Sequence, residues 1–223
     1  MPSSSKPHGL PRGYRLTFPI YYAVIRILTR LACPRFHVTG RSNLPYRTPV
    51  IFACNHLSDI DPPIIGSASR IPLCYLAKRD LWQIGWLGKL LSFMGCIPVD
   101  PGSPDRGALK GCRAMLDAGE SVVIFPEGRI SRTSELQALL PGTVSLALGA
   151  GVPIVPVGIW GVQHALPYGQ TLPRPTFERV RLHFGAPLHF DDLAQLQGRQ
   201  AREEAMKRLE IALRSAIEVA RNR

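Results

Sequence analysis

The chain has 223 residues, of which 45% are hydrophobic, and carries 27 Lys and Arg against 16 Asp and Glu, a formal charge of +11. This composition excludes a disordered chain and a collagen-like repeat, and the length fits one large domain. The excess charge lies near the N-terminus, because residues 1–58 contain eight basic side chains and no acid. Such a segment is typical of proteins that bind nucleic acid, anionic lipid or a phosphorylated substrate.

The N-terminal region divides into two segments. Residues 1–13 are rich in Pro, Gly and Ser and are predicted to form a flexible leader. Residues 14–34 are predicted to form an apolar helix, but Arg26 and Arg30 lie on one of its faces and make a spanning helix a poor fit. Two interpretations stay open: an amphipathic helix that docks on an anionic membrane, or a surface helix packed on its own domain.

Beyond the helix, short β-branched runs alternate with helical stretches. Strands are predicted at 50–54, 121–125, 153–159 and 179–184, with weaker candidates at 73–77 and 96–99. Helices are predicted at 60–69, 80–94, 104–118, 142–149 and 199–221. This alternation predicts a single α/β domain over residues 35–223, with a mixed, largely parallel sheet flanked by helices.

The five cysteines form no Cys-x-x-Cys pair: Cys33, Cys54, Cys74, Cys96 and Cys112. Their odd number and wide spacing predict free, mostly buried thiols in a reducing compartment. We therefore expect neither a disulfide framework nor a metal site. The N-terminal residues also lack the apolar core and cleavage site of a signal peptide.

Polar residues follow the first buried strand at once: Asn55, His56, Ser58, Asp59 and Asp61. Ligands of open α/β sheets gather at the carboxyl ends of strands, so this segment is a candidate site. A histidine beside a carboxylate is the usual arrangement of a general base. The alternative is that Asp61 or Asp59 only caps the next helix and that His56 is a hydrogen-bonded loop residue.

A second cluster follows the strand predicted at 121–125. It combines a carboxylate, a glycine and guanidinium groups at Glu127, Gly128, Arg129 and Arg132. Guanidinium groups suit phosphate oxygens, and glycine allows a backbone to approach a ligand closely. By itself the cluster is also compatible with a salt-bridged turn.

Several common sites are absent from the sequence. It has no Gly-x-Ser-x-Gly nucleophile elbow, no phosphate loop ending in Gly-Lys-Ser/Thr, no Gly-x-Gly-x-x-Gly after a strand and no His-Glu-x-x-His. A serine hydrolase, a nucleotidase and a dinucleotide enzyme therefore have no support.

Four segments together resemble the motifs of the glycerolipid acyltransferases, the family of 1-acylglycerol-3-phosphate O-acyltransferases. Residues 55–61 resemble the His-x4-Asp motif, and residues 95–100, 125–129 and 152–157 resemble the second, third and fourth blocks in the family's order. The resemblance covers about residues 35–190. It implies a glycerol-3-phosphate acyltransferase-like fold for the domain predicted above.

The resemblance also implies a reaction. The family transfers a fatty acyl group from the thioester of coenzyme A or acyl carrier protein to the sn-2 hydroxyl of 1-acylglycerol-3-phosphate, giving phosphatidic acid. By resemblance, His56 is the general base and Asp61 orients it. Because the thioester is already activated, no covalent acyl-enzyme and no further cofactor are expected.

The substrate-binding residues implied by the resemblance are Asn55, Ser58, Glu127, Gly128 and Arg129. Glu127 and Gly128 would line the acceptor site, and Arg129 would hold the acceptor phosphate. The resemblance thus assigns the phosphate contact to Arg129.

Three departures from the family pattern bear on the acceptor. Pro101 stands where the second block usually has an arginine, and the nearest arginine is Arg106, which we include as a candidate phosphate ligand. Arg129 follows Gly128 directly, and Leu140 replaces a common lysine. These differences keep open a second acceptor class, another lysophospholipid or an amino-acid lipid.

Two tryptophans add to the prediction of a membrane partner. Trp82 and Trp86 are four residues apart in the helix predicted at 80–94 and are either an interfacial anchor or core residues. We expect a peripheral or monotopic protein on the cytoplasmic face of the cell membrane. A nucleic-acid partner is not expected, because Tyr21 and Tyr22 lie among apolar residues and not among basic ones.

Overall fold

The computed structural model describes residues 9–100, 105–170 and 172–222. In these ranges a sheet is flanked by helices. The strands are β1 (Phe36–Thr39), β2 (Ile51–Cys54), β3 (Cys74–Lys78), β4 (Ile97–Val99), β5 (Val122–Ile124), β6 (Ile154–Trp160) and β7 (Val180–Phe184). The α-helices are α1 (Arg12–Ala32), α2 (Asp61–Ser69), α3 (Gly85–Phe93), α4 (Arg106–Asp117), α5 (Gly142–Ala150), α6 (Val162–Ala165) and α7 (Gly198–Asn222). Short 3-10 turns lie at Arg41–Asn43, Arg79–Gln83 and Asp191–Leu193.

The seven strands form one sheet in the order β1-β7-β6-β2-β5-β3-β4. Neighbouring strands pair in parallel except β6 and β7, which are antiparallel. The predicted mixed, largely parallel α/β sheet is therefore confirmed. Because β2 lies between β6 and β5, the chain that leaves its carboxyl end emerges near the middle of the sheet edge.

The strand at the centre of the sheet is apolar throughout. All four residues of β2 are at most 1% exposed. A strand covered on both faces needs such a continuous apolar run, whereas β7 at the side alternates between buried and partly exposed positions. The buried run of β2 thus holds the start of the following polar segment in place.

Helix α7 packs directly against β6. A Cβ atom on Gly158 would lie 2.1 Å from the backbone oxygen of Ala216, so this position accepts only glycine unless the helix moves. The helix turns Ala205, Leu209 and Leu213 toward the core, and all three are fully buried. The packing of α7 on β6 holds this strand, which lies beside β2, in place next to the candidate site.

The predicted elements agree with the structure except at four places, the last of which is the helix predicted at 80–94. Strand β1 was not predicted, because its four residues include exposed His37 and Thr39 and its apolar pattern is too short. The helix predicted to begin at residue 14 begins at Arg12, and residues 1–8 of the predicted leader lie outside the described residues. Helix α6 was also missed; it has only four residues.

The helix predicted at 80–94 is interrupted. The 3-10 turn Arg79–Gln83 ends before Ile84, whose backbone is extended, and α3 begins after it. Trp82 and Trp86 consequently do not share a face of one helix. The Trp82 indole donates to Ser92 Oγ at 2.9 Å, whereas Trp86 is 71% exposed, so the core interpretation is wrong for Trp86.

One face of α1 is packed on the domain. Tyr14 is 1% exposed and meets the rings of Phe18, Tyr21 and Phe93 edge to face. At the start of the helix, the Arg15 guanidinium pairs with the buried carboxylate of Glu120. The interpretation of a surface helix packed on its own domain is thus correct for this face.

All five cysteines are free, and all but Cys96 are buried. Burial raises the pKa of Cys33 to about 11 and that of Cys112 to about 12. The thiols therefore act as small apolar core residues, as predicted.

Candidate active site

The centre of the site is a hydrogen bond between His56 and Asp61. His56 Nδ1 lies 2.8 Å from Asp61 Oδ2, and the same oxygen accepts the backbone N–H groups of Leu57 at 2.7 Å and Ser58 at 2.9 Å. Asp61 is the first residue of α2 and is fully buried. Since the N–H groups that it accepts precede it in the chain, the alternative that Asp61 only caps α2 is wrong.

This hydrogen bond determines the tautomer of the imidazole. A carboxylate accepts hydrogen bonds only, so Nδ1 of a neutral His56 must carry the proton and Nε2 must carry the lone pair. The side chain of His56 is 16% exposed, while that of Asp61 is not exposed at all. The ring thus presents a basic nitrogen away from the buried carboxylate.

The backbone and ring of His56 are held by the segment that follows β5. The His56 N–H donates to Glu127 Oε1 at 2.9 Å, and the His56 carbonyl oxygen accepts from Ser131 N–H at 2.8 Å. The Phe125 ring stacks on the imidazole with centroids 3.9 Å apart. Because β2 and β5 are neighbours, the two predicted clusters meet at one edge of the sheet.

Glu127 holds the backbone of the site. Its second carboxylate oxygen accepts the Gln137 N–H at 2.8 Å, and the residue is only 4% exposed. Burial raises the pKa of Glu127, while the two backbone N–H groups oppose the rise. Each oxygen thus accepts one backbone N–H group, so Glu127 positions His56, and its role in lining the acceptor site stays a prediction.

Asn55 and Ser58 also have positioning roles. The Asn55 side chain exchanges two hydrogen bonds with the backbone of Ile159, at 3.0 and 2.8 Å. Ser58 is fully buried, and its hydroxyl donates to the Leu166 oxygen at 2.8 Å. Their polar atoms tie the segment after β2 to β6 and to the end of α6, and a contact of either residue with substrate stays a prediction.

Gly128 and Arg129 form the exposed part of the turn around His56. Gly128 has φ +68°, a left-handed conformation in which a side chain is strained, so glycine is favoured at this position. Arg129 is exposed, and its side chain forms no ion pair within the described ranges. Its guanidinium is therefore available to an anionic ligand.

Arg106 lies at the same edge of the sheet as His56, but farther along it. It is the exposed first residue of α4, which follows β4, and β4 is separated from β5 by β3. Pro101, which stands where the family has an arginine, lies outside the described residues. Nearby, Arg79 Nε donates to both oxygens of Asp100, at 3.0 and 3.1 Å.

Two buried carboxylates make the interior of the site electronegative. Burial raises the pKa of Asp61, although its hydrogen bonds to His56, Ser58 and Leu57 oppose the rise. Burial and the nearby carboxylates raise the pKa of the Cys54 thiol well above its ordinary value. Within the described ranges, no group of three or more His, Cys, Asp or Glu could hold a metal ion.

Sequence reasoning missed three contributors to the site. Phe125 was recognised only as part of a motif, and the backbone N–H groups of Ser131 and Gln137 were not considered. The position of Phe125 directly before Pro126 and Glu127, at a predicted strand end, was the available signal. The two backbone contacts leave no side-chain pattern in the sequence.

The sheet and site together define an α/β protein with a hydrogen-bonded His–Asp pair at the carboxyl end of its central strand. A family model described as Acyltransferase matches residues 35–160, which is more than half of the chain. The chain therefore belongs to the acyltransferase family.

Individual relatives agree with this assignment. A 1-acyl-sn-glycerol-3-phosphate acyltransferase of Bacillus subtilis is 32% identical over 73% of this chain and 78% of that protein. One of Borreliella burgdorferi is 32% identical over 67% of this chain, but the match spans 61% of that protein, less than two thirds. A solved 1-acyl-sn-glycerophosphate acyltransferase from Thermotoga maritima has the same fold, with a TM-score of 0.75 at 23% identity over 96% of this chain and 86% of that one.

Proposed function

We propose that the protein is an O-acyltransferase that acts on 1-acylglycerol-3-phosphate. It moves a fatty acyl group from the thioester of coenzyme A or acyl carrier protein to the free sn-2 hydroxyl and forms phosphatidic acid. The names of the 32% identical relatives support this acceptor. The thioester is a co-substrate, and the proposal includes no other cofactor.

The observation that carries the proposal is the His56–Asp61 pair. His56 Nε2 takes the proton of the acceptor hydroxyl while the hydroxyl oxygen attacks the thioester carbon. The carbon–sulfur bond then breaks, and the leaving thiolate receives the proton from the imidazolium. Asp61, at 2.8 Å from Nδ1, stabilises the imidazolium and keeps the ring in place.

The acceptor phosphate binds on the exposed side of the same turn. Arg129 lies between Glu127 and Ser131, which both hold the backbone of His56, so the backbone of Arg129 is anchored next to the base. A planar guanidinium suits phosphate oxygens. Arg106, at the start of α4, is a second candidate ligand for the phosphate or for the donor.

A panel of acceptors tests the proposed substrate. With one acyl-CoA, we expect kcat/KM for 1-acylglycerol-3-phosphate to exceed that for lysophospholipids with a substituted phosphate by at least about tenfold, because each lost charge-assisted contact costs roughly 1.5–3 kcal/mol. Release of free coenzyme A measures the rate. Preference for an acceptor without a terminal phosphate monoester would overturn the lysophosphatidate proposal and favour the second class, a lysophospholipid or an amino-acid lipid.

Helix α1 is the proposed docking surface for an anionic membrane on the cytoplasmic face of the cell. Its outer face exposes an apolar stripe of Leu16, Ile20, Val24, Ile27 and Leu31, each at least 48% exposed. The stripe repeats every three or four residues, opposite the packed aromatic face. None of the helices in the described ranges is long and apolar enough to span a membrane. The proposed attachment is peripheral or monotopic.

Substitutions in the stripe test the docking. The double variant Ile20→Gln/Ile27→Gln removes two side chains that are 68% and 58% exposed, so we expect sedimentation with anionic vesicles to weaken by at least about tenfold, since a buried apolar side chain contributes roughly 1.5–3 kcal/mol. The matched control Leu172→Gln/Ile211→Gln alters residues that are 81% and 60% exposed elsewhere and should leave binding unchanged. Equal losses in both variants, or a gel shift of nucleic acid at the same salt, would contradict this proposal.

A further inference from the structure

A cavity of about 270 Å³ lies between α1, β1 and the end of α2. Four arginines line it: Arg26 and Arg30 from α1, Arg41 from the turn after β1 and Arg70 from the end of α2. We propose that this cavity binds the phosphate group of an anionic phospholipid, at a site separate from the acceptor site at His56.

The positive charge of the cavity is not neutralised. None of the four arginines pairs with an acid in the described ranges, and no Asp or Glu lines the cavity. The pKa of Arg41 is lowered, first by burial and then by the charges of Arg70 and Arg26. Like charges held close together without a counter-ion favour a bound anion.

In the described ranges, only one of the four arginine side chains is held by a hydrogen bond to the protein. Arg41 Nε donates to the backbone oxygen of Ala68 at 2.9 Å, which satisfies a carbonyl near the end of α2. Arg26, Arg30 and Arg70 are exposed and have no such role in the described hydrogen-bond network. Three guanidinium groups therefore remain for a ligand.

The chemistry of the cavity fits a phosphate. Guanidinium forks match tetrahedral oxyanions and bind them by charge-assisted hydrogen bonds. Hydroxyl-bearing residues Tyr22, Thr29 and Ser67 also line the cavity, and its volume is below that of a typical pocket for a drug-sized molecule. A single phosphate group is a better fit than a nucleotide.

The cavity is distant from the catalytic histidine along the sheet. Strands β7 and β6 separate β1 from β2, after which His56 lies. The ligand is therefore distinct from the acceptor whose hydroxyl faces His56.

The position beside α1 favours a lipid as the source of the phosphate. Arg26 and Arg30 directly precede Ile27 and Leu31, which are 58% and 67% exposed in the proposed docking stripe. When the stripe enters the apolar layer, the cavity lies at the level of the headgroups. The assignment of the phosphate to a lipid rests on the membrane docking proposed above. The binding of a phosphate group to the cavity does not depend on that docking.

The test variant is Arg26→Gln/Arg70→Asn. Asn is used at position 70 because Arg70 has φ 63°, a left-handed conformation that Asn tolerates well. Arg41 stays, since it bonds to Ala68. The matched control Arg47→Gln/Arg202→Gln removes the same charge from exposed positions outside the cavity.

Two probes separate the possible sources. Inorganic phosphate is titrated by calorimetry without vesicles, and sedimentation compares phosphatidylcholine vesicles that contain equal charge as phosphatidic acid or as phosphatidylglycerol. We expect the cavity variant to lose about thirtyfold in affinity for phosphate and to lose any preference for phosphatidic acid. The control should change by less than about threefold.

The outcomes distinguish the proposals. If the cavity variant loses phosphate binding but the wild type shows no headgroup preference, the cavity is a phosphate site. Its ligand is then free phosphate, and the assignment to a lipid is wrong. Equal losses in both variants, or none in either, would overturn the site. His56→Ala should retain both kinds of binding, so failure of the acyltransfer proposal is recognised separately.

Discussion

Replacing His56 with Ala is expected to abolish acyl transfer. The variant removes the nitrogen that we propose accepts the hydroxyl proton, and general-base assistance contributes a factor of roughly 10² to 10⁴ in rate. The loss should appear in kcat, because the base acts in the transition state. Release of coenzyme A from one acyl-CoA, with 1-acylglycerol-3-phosphate as acceptor, measures the effect.

The fold should tolerate this change. The contacts that hold the backbone of residue 56, from Glu127 and Ser131, do not involve the imidazole. His189→Ala is the matched control, because His189 is exposed and adjoins Leu188, which bridges to Ile154 at the opposite end of β6. Activity of His56→Ala within tenfold of wild type, at an unchanged thermal midpoint, would overturn the mechanism.

The second large effect is expected for Asp61→Asn. An amide at this position is uncharged and cannot stabilise the imidazolium, and an amide N–H directed at Nδ1 would force the proton onto Nε2. The analogous change in the serine-protease triad lowers kcat by about 10⁴, and we expect a loss of roughly 10³ to 10⁴ here. KM should change little, since Asp61 is fully buried and does not contact the acceptor.

Asp59→Asn is the matched control for Asp61. It makes the same chemical change two residues away, at an exposed position. Asp61 also accepts the N–H groups of Leu57 and Ser58, so some loss of stability is expected, and urea unfolding measures it. If Asp61→Asn loses stability but keeps kcat, Asp61 is a structural residue only and the assigned role is wrong.

Much of the fold follows from local patterns. The run of β2 is apolar at every position and so predicts a strand buried on both faces, and the polar residues after it mark a strand end. The pattern of β1 failed to predict a strand, because only one of its four residues is buried and they become a strand by pairing with β7. The break in the helix at residues 79–93 was missed for a related reason. Its apolar spacing suits one helix, and the extended backbone of Ile84 separates the two pieces.

The candidate site, like the fold, was predicted only in part from the sequence. His56 and Asp61 were identified from their position after a buried strand and from the resemblance to the His-x4-Asp motif, and their hydrogen bond now distinguishes a paired histidine from a helix cap. The roles of Asn55, Ser58 and Glu127 were not recoverable from residue type. Each side chain is polar and suited to a substrate, and only its burial against backbone groups identifies it as a positioning residue.

The sequence by itself determined the fold class, the family and the residues at the two central strand ends, because these depend on periodicity and on short motifs in a fixed order. The tertiary structure alone decided which polar groups remain available to bind a ligand. The burial of Glu127 and the exposure of Arg129 depend on how the turn after β5 wraps around His56. The basic cavity depends on the same principle, since Arg26, Arg41 and Arg70 are distant in sequence and are brought together only by the packing of α1 and α2 around β1.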